Sequence, residues 1–335
     1  MRVVVLLGGD SDERDVSLAS GAQVANGLRE RGHDVVSLDP VCGLISSSQE
    51  EDLLKGVIPR VPSSAVRDFN SSLGLLEYVD QLKKADIVFP VLHGGMGENG
   101  TIQAVLDLLE IPYVGSDMFG CVLAMNKGLT KRLLRAANIS TPDWVLSSKV
   151  EEVADILRFP LICKPVDGGS SVGLTLVTNQ ASLELCFASE KMGGPALMYE
   201  TFVSGRELTV GVVGESALPI GEIISKHEIF DYECKYRPEM AEEIFPAEIE
   251  ELTASTVAEI ALEVHALLGL RDLSRIDFIL DEQGTAWCLE ANTLPGMTAN
   301  SLFPKAAKAA GFSFQELCEK LLLLAENRLH SRRRS

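Results

Sequence analysis

Arg275, Asp277, Glu290 and Asn292 fall within RIDFILDEQGTAWCLEANTLPGM, residues 275–297, a stretch whose pattern turns four polar side chains toward one another. RIDFIL alternates with period two, Asp281-Glu282-Gln283-Gly284 has turn composition, and TAWCLEAN reads as a returning strand. Side chains at i and i+2 share a face, so Arg275 with Asp277, and Glu290 with Asn292, project from one side of the hairpin. Ile276, Phe278, Leu280, Trp287 and Leu289 are then expected to pack beneath. Asp, Glu and Asn are hard oxygen donors with no His or Cys among them, which suits Mg²⁺ or Mn²⁺ rather than zinc. A carboxylate at Glu290 able to bridge two ions suits an in-line phosphoryl transfer. The plain alternative is a hairpin with a solvated polar face and an Arg–Asp pair. LPGM favours the site, because Pro295-Gly296 forces a turn that aims a backbone N–H into the same space.

Other stretches offer partners for such a centre. PLICKPVDGGSSVGLTLV reads as strand, loop, strand, so it is not a Walker A loop, which opens a helix. Its consecutive Gly and Ser N–H groups, Ser170 and Ser171 among them, still form an anion-binding concavity with Lys164 at the base; a hairpin turn is the bland reading. MNKGLTKRLLRAANI is a helix bearing Lys127 and Lys131. In YETFVSGRELTV, Glu200 and Glu207 flank a Phe202-Val203 wall and could read the amino edge of a purine and its ribose hydroxyls, or be exposed strand acids. EIFDYECKYRPEMAEEIFPAEI is long and polar enough for a loop that closes over a site, with Tyr232, Lys235 and Tyr236 near its centre. TANSLFPKAAKAAG sets Ser301 and Leu302 at a helix start, where N–H groups favour a carboxylate.

The elements that position these residues begin with a βαβ pattern: RVVVLL, a helix through VSLASGAQVANGLRERG, and HDVVSLD. Its glycines are not spaced GxGxxG, which argues against a dinucleotide-dependent dehydrogenase. Glu13 lies in the strand-to-helix loop, where it either holds an ammonium group or offsets the helix dipole. ADIVFPVL ends at His93-Gly94-Gly95, a glycine loop that lets backbone approach a ligand. Residues 42–75 are polar, weakly periodic and read as a surface excursion.

A chain of 335 residues with 46% hydrophobic content supports two or three domains. The net charge of −18 is dispersed, which leaves no footprint for nucleic acid or anionic lipid, so a phosphorylated substrate must be met by local cations. Seven cysteines without CxxC pairs fit a reducing compartment. MRVVVLLGG is too short for a membrane span and carries no cleavage site, so a cytoplasmic location is expected. The C-terminus reads as an amphipathic helix with a short, solvated basic tail.

Taken together, LLGGDSDERDVSL, LHGGMGENGTIQ, MNKGLTK, KPVDGGSSVG, YETFVSGRELTV, DYECKY, GLRDLSRIDFILD and LEANTLPGMT, in this order, resemble the D-alanine:D-alanine ligases of the ATP-grasp superfamily. The resemblance implies an α/β (α+β ATP-grasp) fold, with an open parallel α/β domain over 1–116 followed by two ATP-grasp subdomains, 117–201 and 202–335. It implies ATP and Mg²⁺ or Mn²⁺, with two ions, and D-alanine as substrate for peptidoglycan synthesis. Partners other than these small molecules reduce to a second copy in a homodimer, without nucleic acid or membrane. Lys127, Lys164, Ser170, Ser171 and, from the mobile loop, Lys235 then contact phosphates, and Glu200, Phe202, Val203 and Glu207 the nucleoside. Asp277, Glu290 and Asn292 ligate metal. Glu13, linked to Ser170 and Tyr236, holds the first D-alanine's ammonium with His93 alongside; Arg275 and the Gly296 N–H stabilise the oxyanion; Ser301 and Leu302 take the second carboxylate. Thr201 stands where several relatives carry Lys, which puts one adenine contact in doubt. Tyr236 favours the dipeptide over D-alanyl-D-lactate. The alternatives are D-lactate or D-serine as acceptor on the same scaffold and, more distantly, a non-catalytic nucleotide-binding module, against which the intact ligand set argues.

Overall fold

The computed structural model describes residues 1–56, 71–169, 173–225 and 241–332. Its first sheet has the order β3-β2-β1-β4. The run β1 (Arg2–Leu6), α1 (Arg14–Glu30) and β2 (Asp34–Asp39) is the expected βαβ unit, and a two-residue β3 (Gly43–Leu44) adds an antiparallel edge. Helices α2 (Ser47–Leu54), α3 (Ser71–Leu76) and α4 (Val79–Leu82) lead into β4 (Ile87–Pro90), which lies parallel to β1 on its other side. Because β1 and β4 are neighbours with Leu6 opposite Pro90, the loops leaving them emerge side by side. That adjacency brings Glu13 and His93 to one rim, as carboxyl-end loops of open α/β sheets do.

Residues 57–70 of the 42–75 segment lie outside the described residues, and the described remainder is more than a surface excursion. Leu53 and Leu75 are buried in the core, and Glu50 forms a bidentate pair with Arg29 at 2.5 and 3.0 Å. Its polar composition hid three single-residue anchors that weak periodicity cannot reveal.

Helices α5 (Gly95–Glu98), α6 (Thr101–Leu108), α7 (Met118–Met125) and α8 (Lys127–Ala136) precede the second sheet. The helix expected to start at Met125 is in fact two, meeting at the extended residue Asn126, whose side chain caps α8 by accepting from Leu129 N–H at 3.0 Å. The second sheet, of order β5-β8-β6-β7, is antiparallel and comprises β5 (Trp144–Val145), β6 (Leu161–Pro165), β7 (Thr175–Val177) and β8 (Leu197–Thr201), with α9 (Val150–Ile156) and α10 (Gln180–Lys191) against it.

The third sheet runs β12-β11-β9-β13-β14 with β10 beside β9. Its strands are β9 (Arg206–Val213), β10 (Ser216–Ala217), β11 (Gly221–Ser225), β12 (Ala241–Ile244), β13 (Leu273–Leu280) and β14 (Ala286–Asn292), with α11 (Glu251–Leu267) packed on one face. Consequently β8 and β9 are not a hairpin: Phe202–Gly205 carries the chain from one sheet to the other. Two closing helices, α12 (Leu302–Ala309) and α13 (Phe314–Arg332), return to the first sheet, where Phe303, Leu317, Leu321 and Leu322 join Val3, Val5 and Leu28 in one core. Conversely, Ala124 of α7 and Leu134 of α8 belong to the core under the third sheet. The cores therefore interlock segments that are distant in sequence.

Candidate active site

The hairpin β13–β14 pairs Arg275 with Asn292 and Asp277 with Glu290 directly across the strands. All four expected side chains thus share one face, while Ile276, Phe278 and Leu280 are buried below. The expectation for Trp287 and Leu289 fails. The register shifts between Asp277 and Phe278, which inserts Leu289 as an extra residue and reverses the alternation beyond it. Cys288 and Ala286 take the core positions, Leu289 faces the cleft, and the Trp287 indole N–H donates to Asp281 Oδ2 at 2.7 Å.

Arg275 grips Asp277 with a bidentate fork, Nε to Oδ1 at 2.9 Å and an η-nitrogen to Oδ2 at 2.7 Å. Thr209 Oγ1 and Asn292 Nδ2 donate to the same carboxylate at 2.7 and 3.0 Å. Burial opposes the Arg275 charge, but Asp277, with Glu290 and Glu98 further off, outweighs it and leaves the guanidinium harder to deprotonate than usual. Glu290 lies 3.6 Å from Lys127 Nζ.

Lys127 opens α8, and its N–H donates to Val166 O at 3.1 Å while Nζ donates to Gly168 O at 2.5 Å. Helix α8 thereby docks on the loop after β6. One turn later Lys131 is fully buried, donating to Thr141 Oγ1 at 2.7 Å and Pro142 O at 3.1 Å and pairing with Glu200 at 2.9 Å. Lys164 takes the other Glu200 oxygen at 2.6 Å. Burial works against the Glu200 charge, yet the two lysines prevail and hold the carboxyl below its ordinary range. Desolvation pulls Lys131 the opposite way, down from the usual lysine range.

These groups line a cleft of about 410 Å³ between the second and third sheets. Lys127, Lys164 and Glu200 stand on one wall; Phe202 and Val203 lie in the crossing between sheets and Glu207 on β9; Arg275, Asp277, Glu290 and Leu302 complete it. Its size is that of a small-molecule site. Asn292 lies just beyond, in a smaller hollow shared with Glu98, Gly169 and Glu290.

At the first-sheet rim Glu13 takes the N-cap position of α1, but its carboxylate does not cap the helix. It lies instead between two glycine loops: a Cβ on Gly94 would come within 2.9 Å of Glu13 Oε2, and one on Gly169 within 3.3 Å. Gly94 also has φ of 70°, a conformation that side chains resist. His93 is buried, with Nδ1 2.9 Å from Leu294 O and Nε2 3.2 Å from Ser20 Oγ. Ser301 takes the N-cap position of α12 without capping it; its hydroxyl turns back to Thr298 Oγ1 at 2.7 Å. A Cβ on Gly296 would sit 2.9 Å from that same Ser301 oxygen, so the PGM turn and the helix start are in close contact.

Family models described as D-ala D-ala ligase N-terminus and D-ala D-ala ligase C-terminus match residues 2–116 and 132–323. The D-alanine–D-alanine ligase of Aquifex aeolicus is 39% identical over 324 residues, covering 95% of this chain and 98% of the relative. That of Nitrosospira multiformis is 38% identical over 327 residues, covering 97% and 96%. The chain belongs to the D-alanine–D-alanine ligase family. Among solved structures, the D-alanine–D-alanine ligase of Bacillus anthracis complexed with ATP superposes with a TM-score of 0.79 at 28% identity over 99% of both chains. The VanG D-Ala:D-Ser ligase of Enterococcus faecalis gives the same TM-score at 27% identity over 97% and 99%.

Of the residues expected to form the ligase site, the hairpin quartet, Lys127, Lys164, Glu200, Phe202, Val203, Glu207 and Leu302 lie along the cleft and the hollow beside it. Glu13, His93, Gly296 and Ser301 lie at the first-sheet end, joined to the hairpin through Leu294. Ser170, Ser171, Lys235 and Tyr236 lie outside the described residues. Sequence reasoning put Lys131 on the helix of Lys127, four residues on and on the same face, but gave it no role, and it missed two other contributors. Thr209 carried no signal, since only the β9–β13 register puts it opposite Asp277. Glu98 also escaped notice; its carboxylate accepts from Gly94 N–H at 2.6 Å and Leu294 N–H at 3.4 Å, bridging the two ends.

Proposed function

We propose that this ligase joins two D-alanines at the described cleft, with each half of the reaction run by a different part of it. The chain is an ATP-dependent ligase that makes D-alanyl-D-alanine, ADP and phosphate for peptidoglycan synthesis. The observation that carries the residue assignment is the cross-strand quartet: Arg275, Asp277 and Glu290 line the cleft with Lys127 and Lys164, and Asn292 adjoins them in the neighbouring hollow.

Glu13 holds the first D-alanine's ammonium beside His93, and that substrate's carboxylate attacks the γ-phosphorus of ATP, releasing ADP and forming an acyl phosphate. Lys127, Lys164, Lys235, Ser170 and Ser171 neutralise and cradle the phosphates, as the loose transition state of phosphoryl transfer demands. Phe202 and Val203 wall the adenine, Glu200 retains lone pairs beyond those its lysines use, and Glu207 takes the ribose. The second D-alanine, its carboxylate at Ser301 and Leu302, attacks the acyl carbon through its amine. Charge on the tetrahedral oxygen falls to Arg275 and the Gly296 N–H, and inorganic phosphate then leaves. Tyr236, Ser170 and Glu13 link the closing loop to the first substrate, and closure keeps water from the intermediate.

The donor set fits Mg²⁺ or Mn²⁺. Among the described residues no three His, Cys, Asp or Glu side chains cluster to hold a metal unaided. Asp277 and Glu290 face each other, and Asn292, once its amide turns over, adds a carbonyl oxygen in place of the hydrogen bond to Asp277. Two carboxylates completed by substrate phosphates are the usual magnesium arrangement, and two ions would supply charge neutralisation on the transferring phosphoryl group.

We further assign the domains to 1–116, 117–201 and 202–335, the working form to a homodimer and the location to the cytoplasm. No helix among the described residues is long and apolar enough to cross a membrane. Incubation with ATP, Mg²⁺ and D-alanine is expected to release phosphate in step with dipeptide. Absence of D-alanine-dependent release from neutral to alkaline pH overturns the reading, and D-serine or D-lactate in the mixture reads acceptor choice.

A further inference from the structure

The segment 294–301 leaves the third sheet, yet its backbone is held by residues of the first-sheet region. Leu294 is gripped on both sides of its backbone, its C=O by His93 and its N–H by Glu98. Beyond it, Met297 N–H donates to Ser20 Oγ at 3.3 Å and Ala299 N–H to Gln23 Oε1 at 2.7 Å. Ser20 and Gln23 are three residues apart on α1 and therefore share a face, which runs along the segment like a template. The Met297 side chain is buried in the first-sheet core and pins the segment from beneath.

Hydrogen-bond direction links two of these contacts. A carbonyl only accepts, so His93 Nδ1 carries the proton toward Leu294 O. In the neutral ring Nε2 is then an acceptor, taking the Ser20 hydroxyl proton at 3.2 Å, which leaves the Ser20 lone pairs for Met297 N–H. The chain Met297 N–H to Ser20 to His93, and His93 to Leu294 O, closes a ring around Pro295-Gly296 and fixes the turn from both flanks.

We propose that Ser20 and Gln23 are positioning residues for the acceptor amino acid: through the backbone of Met297 and Ala299 they set the Gly296 N–H and the Ser301 hydroxyl against the second substrate. This rests on the assignment of Gly296, Ser301 and Leu302 above. Neither residue touches substrate; each acts through the segment it holds. Gln23 therefore acts on the second D-alanine alone, while Ser20, bonded to His93, also reaches the first D-alanine's side; both spare ATP, whose contacts lie elsewhere.

The test is steady-state kinetics resolved into half-saturating concentrations for ATP and for each D-alanine, on the full chain. Ser20→Ala is expected to raise the value for the second D-alanine about tenfold and Gln23→Ala about threefold or more, the size of one lost hydrogen bond. In Gln23→Ala, ATP and the first D-alanine should stay within about twofold, well under one such bond; in Ser20→Ala that limit holds for ATP alone, because Ser20 also bonds His93. Gln23→Glu keeps the acceptor oxygen and should restore wild-type behaviour. Gln23 is half-buried, so its pair of variants decides even where Ser20→Ala folds poorly. Gln23→Ala without effect on the second D-alanine, equal loss for all three substrates, or Gln23→Glu as impaired as Gln23→Ala each overturns the proposal. Ser301→Ala run alongside separates the two layers. If it raises the second value while Gln23→Ala does not, positioning fails alone; if Ser301→Ala changes nothing, the acceptor assignment fails and the inference with it.

Discussion

The hairpin, proposed above as the phosphate end of the site, and the first-sheet rim, proposed as its amino-acid end, are built in opposite ways. Arg275, Asp277, Glu290 and Asn292 come from one hairpin, and their mutual placement follows from cross-strand register alone. The amino-acid end gathers Glu13, Ser20, His93 and Glu98 with the 294–301 turn, so that His93 meets Leu294 across 201 positions and Gln23 meets Ala299 across 276. A local motif fixes charge geometry; a long-range one fixes the groups proposed to meet the two amino acids. The difference teaches that the four hairpin side chains are placed within one local motif, whereas the groups at the first-sheet end depend on two sheets remaining docked.

The sharpest way to break this contrast is at Arg275. Arg275→Ala is expected to lower kcat by about 10³, the scale of a lost oxyanion donor, with circular dichroism showing the fold retained. Turnover like wild type would remove the hairpin from the chemistry. Next comes Lys131→Met, which leaves the buried Glu200 with Lys164 alone among its two cationic partners. A urea midpoint series should show a loss of about 3–4 kcal/mol, accompanied by weaker ATP binding. A loss of stability with ATP affinity intact would restrict Lys131 to the core.

Beneath the hairpin, His265 Nδ1 lies 2.7 Å from Ser274 Oγ, and burial pushes this imidazole down to about 4. Above pH 6.5 the ring is neutral folded or unfolded and contributes nothing to pH dependence. As pH falls from 6.5 to 4 the unfolded chain takes up the proton first, so stability drops, by about 3 kcal/mol in all, and levels off below 4. His265→Leu should flatten that part of the stability profile; an unchanged slope would locate it in other groups. The smallest effect is expected at the amino-acid end. Gly94→Ala introduces a Cβ near Glu13 at a positive φ; it should raise the KM for the first D-alanine about tenfold with stability down by about 1 kcal/mol. Equal damage to ATP binding would show that the two ends are not separable.

Legibility followed the same division. Period-two alternation with a polar turn revealed the hairpin and its four functional side chains, but the bulge at Asp277/Phe278 is invisible to alternation, so Leu289 and Trp287 were expected on the wrong face. The strands of YETFVSGRELTV were evident; that Ser204-Gly205 lies in a crossing between sheets was not, because strand pairing is a tertiary choice. Asn126 divides two helices by its cap, a signal masked by the apolar run before it. At the amino-acid end Glu13 and His93 stood out by type, whereas Ser20, Gln23 and Glu98 act through backbone groups far along the chain and leave no periodic trace.

Divalent metal held against the phosphates by the proposed hairpin ligands is tested most directly by titrating Mn²⁺ into the protein with a non-hydrolysable ATP analogue, followed by electron paramagnetic resonance. Two bound ions are expected in the wild type and in Ser301→Ala, and loss of at least one in Glu290→Gln. Two ions bound with undiminished affinity by Glu290→Gln would contradict it.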